Sequence, residues 1–145
     1  DNVEFTFLGW FEEDYSDIMK ELEEKRIIKY HGYQDDVIPF IKNSHCVILP
    51  SYHEGMSNVL LEAAATGRPV ITSNIPGCKE AVDDGKSGFL CEARDWNDLH
   101  LKMDKIAHMS HLEREAMGLC ARDKMMQEFD KNKVVKKTIQ GIVRV

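Results

Sequence analysis

The chain lacks any run of about eighteen apolar residues, the least that crosses a bilayer as a helix, so no membrane span is expected. It lacks a Cys-x-x-Cys pair. Cys46, Cys78, Cys91 and Cys120 lie far apart, which argues against a zinc knuckle and a redox dithiol and fits a reducing, cytoplasmic setting. A dense Lys/Arg block is also missing. With 25 acidic against 19 basic residues and a formal charge of -6, the chain would repel a phosphate backbone, and nucleic acid is not an expected partner. Lys136-Lys137 is too short to alter that. No basic leader or small-residue cleavage site opens the chain. Residues 1–10 alternate apolar and polar as a strand does, so export is not expected. Internal repeats, low-complexity tracts and Pro/Ser-rich linkers are absent, and one domain over residues 1–145 is the expectation.

What is present suits one core: 145 residues, of which 43% are hydrophobic. β-rich runs alternate with helical ones. Strands are expected at 3–8, 27–31, 45–49, 69–73 and 88–91, with helices at 14–26, 35–43 and 57–66 and a short one at 78–82. That order predicts an α/β fold with a mainly parallel sheet covered on both faces. Val47-Ile48-Leu49 and Val70-Ile71 are continuously apolar, as in strands buried on both sides, and are expected at the sheet centre. From Trp96 onward the pattern is helical only. Leu99, Met103 and Ile106 are spaced for one apolar face, and Leu112, Met117 and residues 119–126 suggest another. Residues 133–145 are expected to form a terminal helix. Asp95 is the expected N-cap of the first of these helices, with Trp96 anchoring it on the sheet. Cys46 and Cys91, inside apolar runs, read as packing thiols.

Residues 50–70 carry the chemistry: Pro-Ser-Tyr-His-Glu-Gly-Met-Ser-Asn-Val-Leu-Leu-Glu-Ala-Ala-Ala-Thr-Gly-Arg-Pro-Val. The shape is strand, loop, helix, strand. A loop after the carboxyl end of a parallel strand is where doubly wound sheets bind ligands, and this one runs into a helix N-terminus with unpaired N–H groups. Such an end favours an anion, and a diphosphate is the natural candidate. Gly55 lets the backbone approach a ligand, and Ser57 or Asn58 can satisfy the first turn. Glu62 lies about 8 Å along the helix axis from the loop that holds Glu54, a span a nucleotide sugar covers. A carboxylate accepts from two neighbouring hydroxyls, so Glu62 suits a ribose and Glu54 a hexose, with the diphosphate between them. The competing reading is a loop carboxylate near a helix dipole and an exposed helical glutamate, with no ligand. Arg68 and Lys79 are the cations nearest in sequence. His53 is a pocket candidate, and His108 and His111 read as a solvated helix face, with no metal site.

The same string resembles the signature of the retaining glycosyltransferases of family four, which adopt the GT-B fold. That pattern is Pro-Ser, two or three residues, Glu-Gly, a second glutamate after seven intervening residues, then Ala-x-Ala-x-Gly-x-Pro-Val. Every fixed position is met. Gly77-Cys78-Lys79-Glu80 and Gly85-Lys86-Ser87-Gly88-Phe89-Leu90 resemble two further segments of that family, and the similarity reaches to about Asp98. Two positions depart: Gly9-Trp10-Phe11 stands where Gly-x-Gly is usual, and Met56-Ser57 replaces Phe-Gly.

The resemblance implies a Rossmann-like donor domain, the C-terminal half of a GT-B enzyme. In it Glu54 is the catalytic contact to the donor sugar, Gly55, Met56, Ser57, Asn58 and Val59 hold sugar and phosphates, and Glu62 binds the ribose. Residues 30–34 frame the base, with Gly32 and Tyr33 as the candidates, and Glu80 orients the loop. It implies transfer from a nucleoside diphosphate sugar, UDP being expected, to a glycan or lipid-linked acceptor in polysaccharide biosynthesis. No cofactor or metal is required, and the setting is the cytoplasm or the inner face of the membrane. It also implies that an acceptor-binding domain and a strand with a basic loop precede this part, which is not expected to catalyse transfer alone. A sugar-nucleotide epimerase of the same architecture and a non-catalytic α/β binding module are the alternatives; Asp35-Asp36 lacks the lysine that a receiver-like module needs.

Overall fold

The computed structural model describes residues 3–11 and 13–143. Asp1 and Asn2 of the expected first strand, and Arg144 and Val145 of the expected terminal helix, lie outside the described residues. The contacts group into two compact units, residues 1–39 and 40–145, so the single domain expected over the chain is described in two parts.

The first unit is a strand, helix, strand arrangement. β1 (Phe5–Phe7) and β2 (Ile28–Tyr30) pair in parallel, with Phe5 opposite Ile28 and Phe7 opposite Tyr30. Between them α1 (Ser16–Glu24) packs on β2, and Met19 and Ile28 are buried. The helix starts later than residue 14 because the Asp14 carboxylate accepts the Ser16 N–H at 3.0 Å from outside the first turn. It ends where Arg26 takes the left-handed conformation, φ 56°, at a position that usually favours glycine.

α2 (Ile38–Asn43) runs across the boundary between the units in sequence, and the second unit holds a three-stranded parallel sheet. Its order is β3 (Val47–Leu49), β4 (Val70–Ser73), β5 (Gly88–Cys91). β4 is central, and its four residues are all buried. β3, also expected to be central, pairs with β4 alone among the described residues and is half-buried. An unbroken apolar triplet does not distinguish an inner strand from an edge.

Register places Ile48, Ile71 and Phe89 in one row, and they pack with Leu99, Met103, Ile106 and Met117. Full burial of a side chain such as Ile71 is worth about 1.5–3 kcal/mol. Val70 and Thr72 point the other way by strand alternation and are also fully buried, so both faces are covered, as a parallel sheet requires. α3 (Asn58–Ala65) packs on β3 and β4.

The helical part is α4 (Trp96–His108), α5 (His111–Glu128) and α6 (Lys131–Val143). Asp95 caps α4 by accepting from the Asn97 and Asp98 N–H groups, as expected, but Trp96 is 74% exposed and anchors nothing on the sheet. The buried face of α5 is Met117, Gly118, Ala121 and Met125, whereas Leu112, Leu119 and Met126 are exposed. Ala121 and Met125 meet Ala64 of α3, flanked by Leu61 and Phe129. The two helices approach closely because Gly118 has no side chain: a β-carbon there would lie 2.0 Å from Gly67 O.

Candidate functional site

Three loops leave the carboxyl ends of β3, β4 and β5 at one edge of the second unit's sheet. The first, residues 50–57, leads into α3. Ser57 is its N-cap, extended at φ -73° and ψ 108°, yet makes no side-chain capping bond. The first-turn N–H groups of an α-helix have no intrahelical acceptor, and here no capping side chain takes them. The N-terminal end of α3 is thus a set of open donors with the positive end of a helix dipole behind them.

Glu54 is half-buried, and its carboxylate accepts from the Ser51 hydroxyl at 2.8 Å. Glu62 is half-buried on α3, and no hydrogen bond or ion pair of its carboxylate occurs among the described residues. Gly55, Met56, Asn58 and Val59 are exposed. Ser57 behaves differently from the expectation of a free N–H donor. Its N–H donates to Gly77 O at 3.2 Å, so the following loop has already taken it.

That following loop is a support that sequence reasoning only half found. Gly77 turns at φ 88°, and a β-carbon there would lie 1.6 Å from Gly55 O and 2.5 Å from Glu54 O. Only glycine allows this contact. The Gly77 N–H in turn donates to the Glu80 carboxylate at 2.8 Å, so Glu80, in the 3-10 turn Lys79–Ala81, holds the turn that holds the loop. The orienting role expected of Glu80 has this geometry. The spacing Gly-x-x-Glu was the available signal; nothing in it told that Gly77 would lie against Gly55.

Of the two cations nearest in sequence, Arg68 is remote from the loop. Arg68 lies past the far end of α3, its guanidinium bonded to Lys42 O, at the opposite end of the helix from the loop. Helix direction separates them by about 12 Å over eight residues, a distance that nearness in sequence hides. Arg94, which sequence reasoning missed, stands with its guanidinium 5.4 Å from the centre of the Tyr52 ring, in the loop after β5. His53 is exposed beside Glu54.

Cys78 is fully buried under this edge. Burial pushes its thiol up, against a hydrogen bond with Thr72, and the charges of Glu54 and Glu80 push it further in the same direction. Burial likewise raises Cys91, and it pushes Cys46, packed on the Ile71 cluster, up to about 12. Thiols held protonated are poor nucleophiles, which fits the packing role expected of Cys46 and Cys91. Among the described residues no group of three or more His, Cys, Asp or Glu side chains is placed to hold a metal ion, and no helix is long and apolar enough to cross a membrane.

Gly32 and Tyr33 belong to the first unit. Gly9 and Gly32 follow β1 and β2, the Gly9 N–H donates to Gly32 O at 2.8 Å, and the Tyr30 hydroxyl donates to Gly9 O at 2.8 Å. Trp10 stacks on Tyr33 with ring centres 5.1 Å apart, and the two are 71% and 58% exposed. Trp10, singled out in the sequence only as a departure, is therefore part of an open aromatic face beside Gly32.

Residues 1–108 match the family described as glycosyl transferases group 1. The chain is 26% identical over its whole length to N,N'-diacetylbacillosaminyl-diphospho-undecaprenol alpha-1,3-N-acetylgalactosaminyltransferase of Campylobacter jejuni, covering 38% of it. It is 34% identical, over 65% of its length, to the capsular polysaccharide biosynthesis glycosyltransferase CapM of Staphylococcus aureus, covering 24% of that protein. The chain thus spans well under half of either relative. In fold it is similar to Anabaena HepE in complex with UDP, with a TM-score of 0.80, 21% identity, and coverage of 97% of this chain and 40% of HepE. It is also similar to the C-terminal domain of a glycosyl transferase group 1 family protein, LpcC, from Francisella tularensis. There the TM-score is 0.66 and the identity 24%, over 80% of this chain and 64% of that one.

Proposed function

The chain belongs to the glycosyl transferases group 1 family, with the α/β architecture of a GT-B C-terminal domain, and we propose that it is the nucleotide-sugar-binding part of a retaining glycosyltransferase. In this reading the two units are parts of one donor-binding domain. The donor is a nucleoside diphosphate sugar, UDP being favoured, and the acceptor is a glycan or lipid-linked sugar in polysaccharide biosynthesis. The enzyme works in the cytoplasm or at the inner face of the membrane, and its acceptor side is supplied by an N-terminal domain outside this sequence. Support for UDP comes from HepE, which binds it on a similar fold. The diphospho-undecaprenol-linked sugar in the name of the Campylobacter relative and the role of CapM in capsular polysaccharide biosynthesis support the acceptor class and the process.

One observation carries the reading: an uncapped helix N-terminus at the carboxyl edge of a parallel sheet, flanked by Glu54 before it and Glu62 within it. The open N–H groups suit a diphosphate, and the helix dipole adds about 0.3–1 kcal/mol, more where water is excluded. Glu62, without a side-chain partner among the described residues, accepts from the two ribose hydroxyls. Glu54, oriented by Ser51, contacts the donor sugar. Gly55, Met56, Asn58 and Val59 lend backbone donors, Ser57 shapes the turn, and Gly32 and Tyr33 frame the base. As transfer proceeds, the bond from the anomeric carbon to the phosphate oxygen breaks and one to the acceptor oxygen forms on the same face. The acceptor proton passes to the departing phosphate, whose growing charge the helix end stabilises. No metal is invoked in this scheme.

The test is a calorimetric or NMR titration of this chain with UDP, GDP and ADP. UDP is expected to bind best, and Glu62→Ala to weaken it by roughly 10- to 100-fold, the loss of two hydrogen bonds to a charged acceptor. Equal binding of all three nucleotides, with Glu62→Ala silent, would refute the ribose assignment.

A further inference from the structure

A second cleft of about 220 Å³ opens in the same unit, lined among others by His45, Arg68, His111, Arg114, Glu115 and Arg122. It is not the donor loop. Arg68 and Pro69 precede β4 whereas the loop follows β3, so in a parallel sheet the two lie at opposite edges. Three guanidinium groups and two imidazoles face one carboxylate. Among the described residues no ion pair involves Arg68, Arg114 or Arg122, nor does one involve Glu115.

Two of the arginines are held in place by the backbone. Arg114 donates to Met109 O and, at 3.4 Å, to Ile106 O at the end of α4, while Arg68 donates to Lys42 O. Each nevertheless keeps a buried Nε–H with no partner, and these two atoms are the only buried side-chain polar atoms without one among the described residues. An unsatisfied buried donor costs about 1–3 kcal/mol, and both belong to residues that line this cleft. Water would satisfy the N–H groups but not the excess positive charge. A tetrahedral oxyanion does both, and guanidinium forks match its edges.

We propose that this cleft binds a phosphoryl group, distinct from the donor diphosphate, with Arg68, Arg114 and Arg122 as its principal ligands. Its charge excess runs against the chain's net charge of -6. The proposal does not depend on the donor reading, because its residues and those of residues 50–62 do not overlap. The phosphoryl group could belong to a soluble phosphate or to a lipid headgroup, and the experiment separates the two.

The probes are inorganic phosphate, followed by amide shift mapping and calorimetry, and vesicles of phosphatidylcholine with or without phosphatidic acid, followed by co-sedimentation. Free phosphate is expected to shift the amides of residues 66–69 and 111–122 saturably in the millimolar range. Arg122→Glu, at an exposed position whose side chain makes no hydrogen bond or ion pair among the described residues, should weaken this by at least about tenfold. Glu62→Ala should leave it unchanged. Binding that appears only with phosphatidic acid vesicles and disappears in Arg122→Glu assigns the site to a headgroup. The absence of saturable binding to either probe overturns the proposal, and so does binding that survives Arg122→Glu. Since Arg114 also caps α4, Arg114→Gln serves only as a second check, accompanied by a circular dichroism spectrum.

Discussion

At the residue scale the donor loop depends on a glycine outside it. Gly77 carries a left-handed turn into van der Waals contact with the Glu54–Gly55 backbone, and its carbonyl takes the Ser57 N–H. Gly77→Ala adds left-handed strain of about 1–2 kcal/mol and overpacking of about 1–3 kcal/mol, so a loss of about 2–5 kcal/mol is expected in urea unfolding. Nucleotide affinity should fall with it, because the loop must move to admit the methyl group. Glu80→Gln keeps an acceptor for the Gly77 N–H and should be far milder. Cys46 offers a second residue-scale check. With its thiol near 12, it should resist iodoacetamide at a pH of about 8 in the folded protein and react once unfolded, as read by mass spectrometry.

At the scale of elements, the three helix N-termini of the second unit that follow a defined cap are treated differently. Asp95 caps α4 with its carboxylate, and Ser110 with Glu113 forms a reciprocal capping box on α5. Ser57 gives α3 no side-chain bond. Ser110→Ala should therefore cost about 1 kcal/mol and Ser57→Ala less than about 0.5 kcal/mol, measured by chemical denaturation. An equal cost at both positions would mean that the α3 end is not open. The α3 and α5 pair is set by close approach at Gly118, so Gly118→Ala should destabilise by about 1–3 kcal/mol even though alanine is the better helix former.

At the scale of the whole molecule, the buried thiols link stability to alkaline pH. Burial raises Cys46, Cys78 and Cys91, so each favours the protonated form when folded. The sign follows from proton binding: above the ordinary thiol value of 9.0 the unfolded chain loses protons that the folded chain keeps. Their contribution is complete below that value and is lost as pH climbs, for Cys46 toward about 12. The urea midpoint should drop between a pH of about 8 and about 10.5, and Cys46→Ala should flatten that slope while lowering the midpoint overall. Charge is unevenly spread as well. Against a net charge of -6, positive groups gather at the Arg68–Arg114–Arg122 cleft, at the edge of the sheet opposite the proposed donor site.

The sequence by itself determined where strands and helices fall, mostly to within a few residues, because hydrophobic period, caps and turn residues act over short spans. β5 was legible at its full length, and α3 with Ser57 and Thr66 as its flanks. The string from Pro50 to Val70 likewise placed Glu54, Gly55 and Glu62 on a strand, loop, helix path, since that order is local. Tertiary structure decided the rest. It left Trp96 and Leu112 in solvent, put β3 at the side of its sheet, moved Arg68 away from the loop and brought Arg94 onto Tyr52. It also laid Gly77 against Gly55 and left two arginine N–H groups beside one cleft. These outcomes join residues about 20 to 50 positions apart, and whether such groups meet depends on how helices pack on a sheet, which no local spacing encodes.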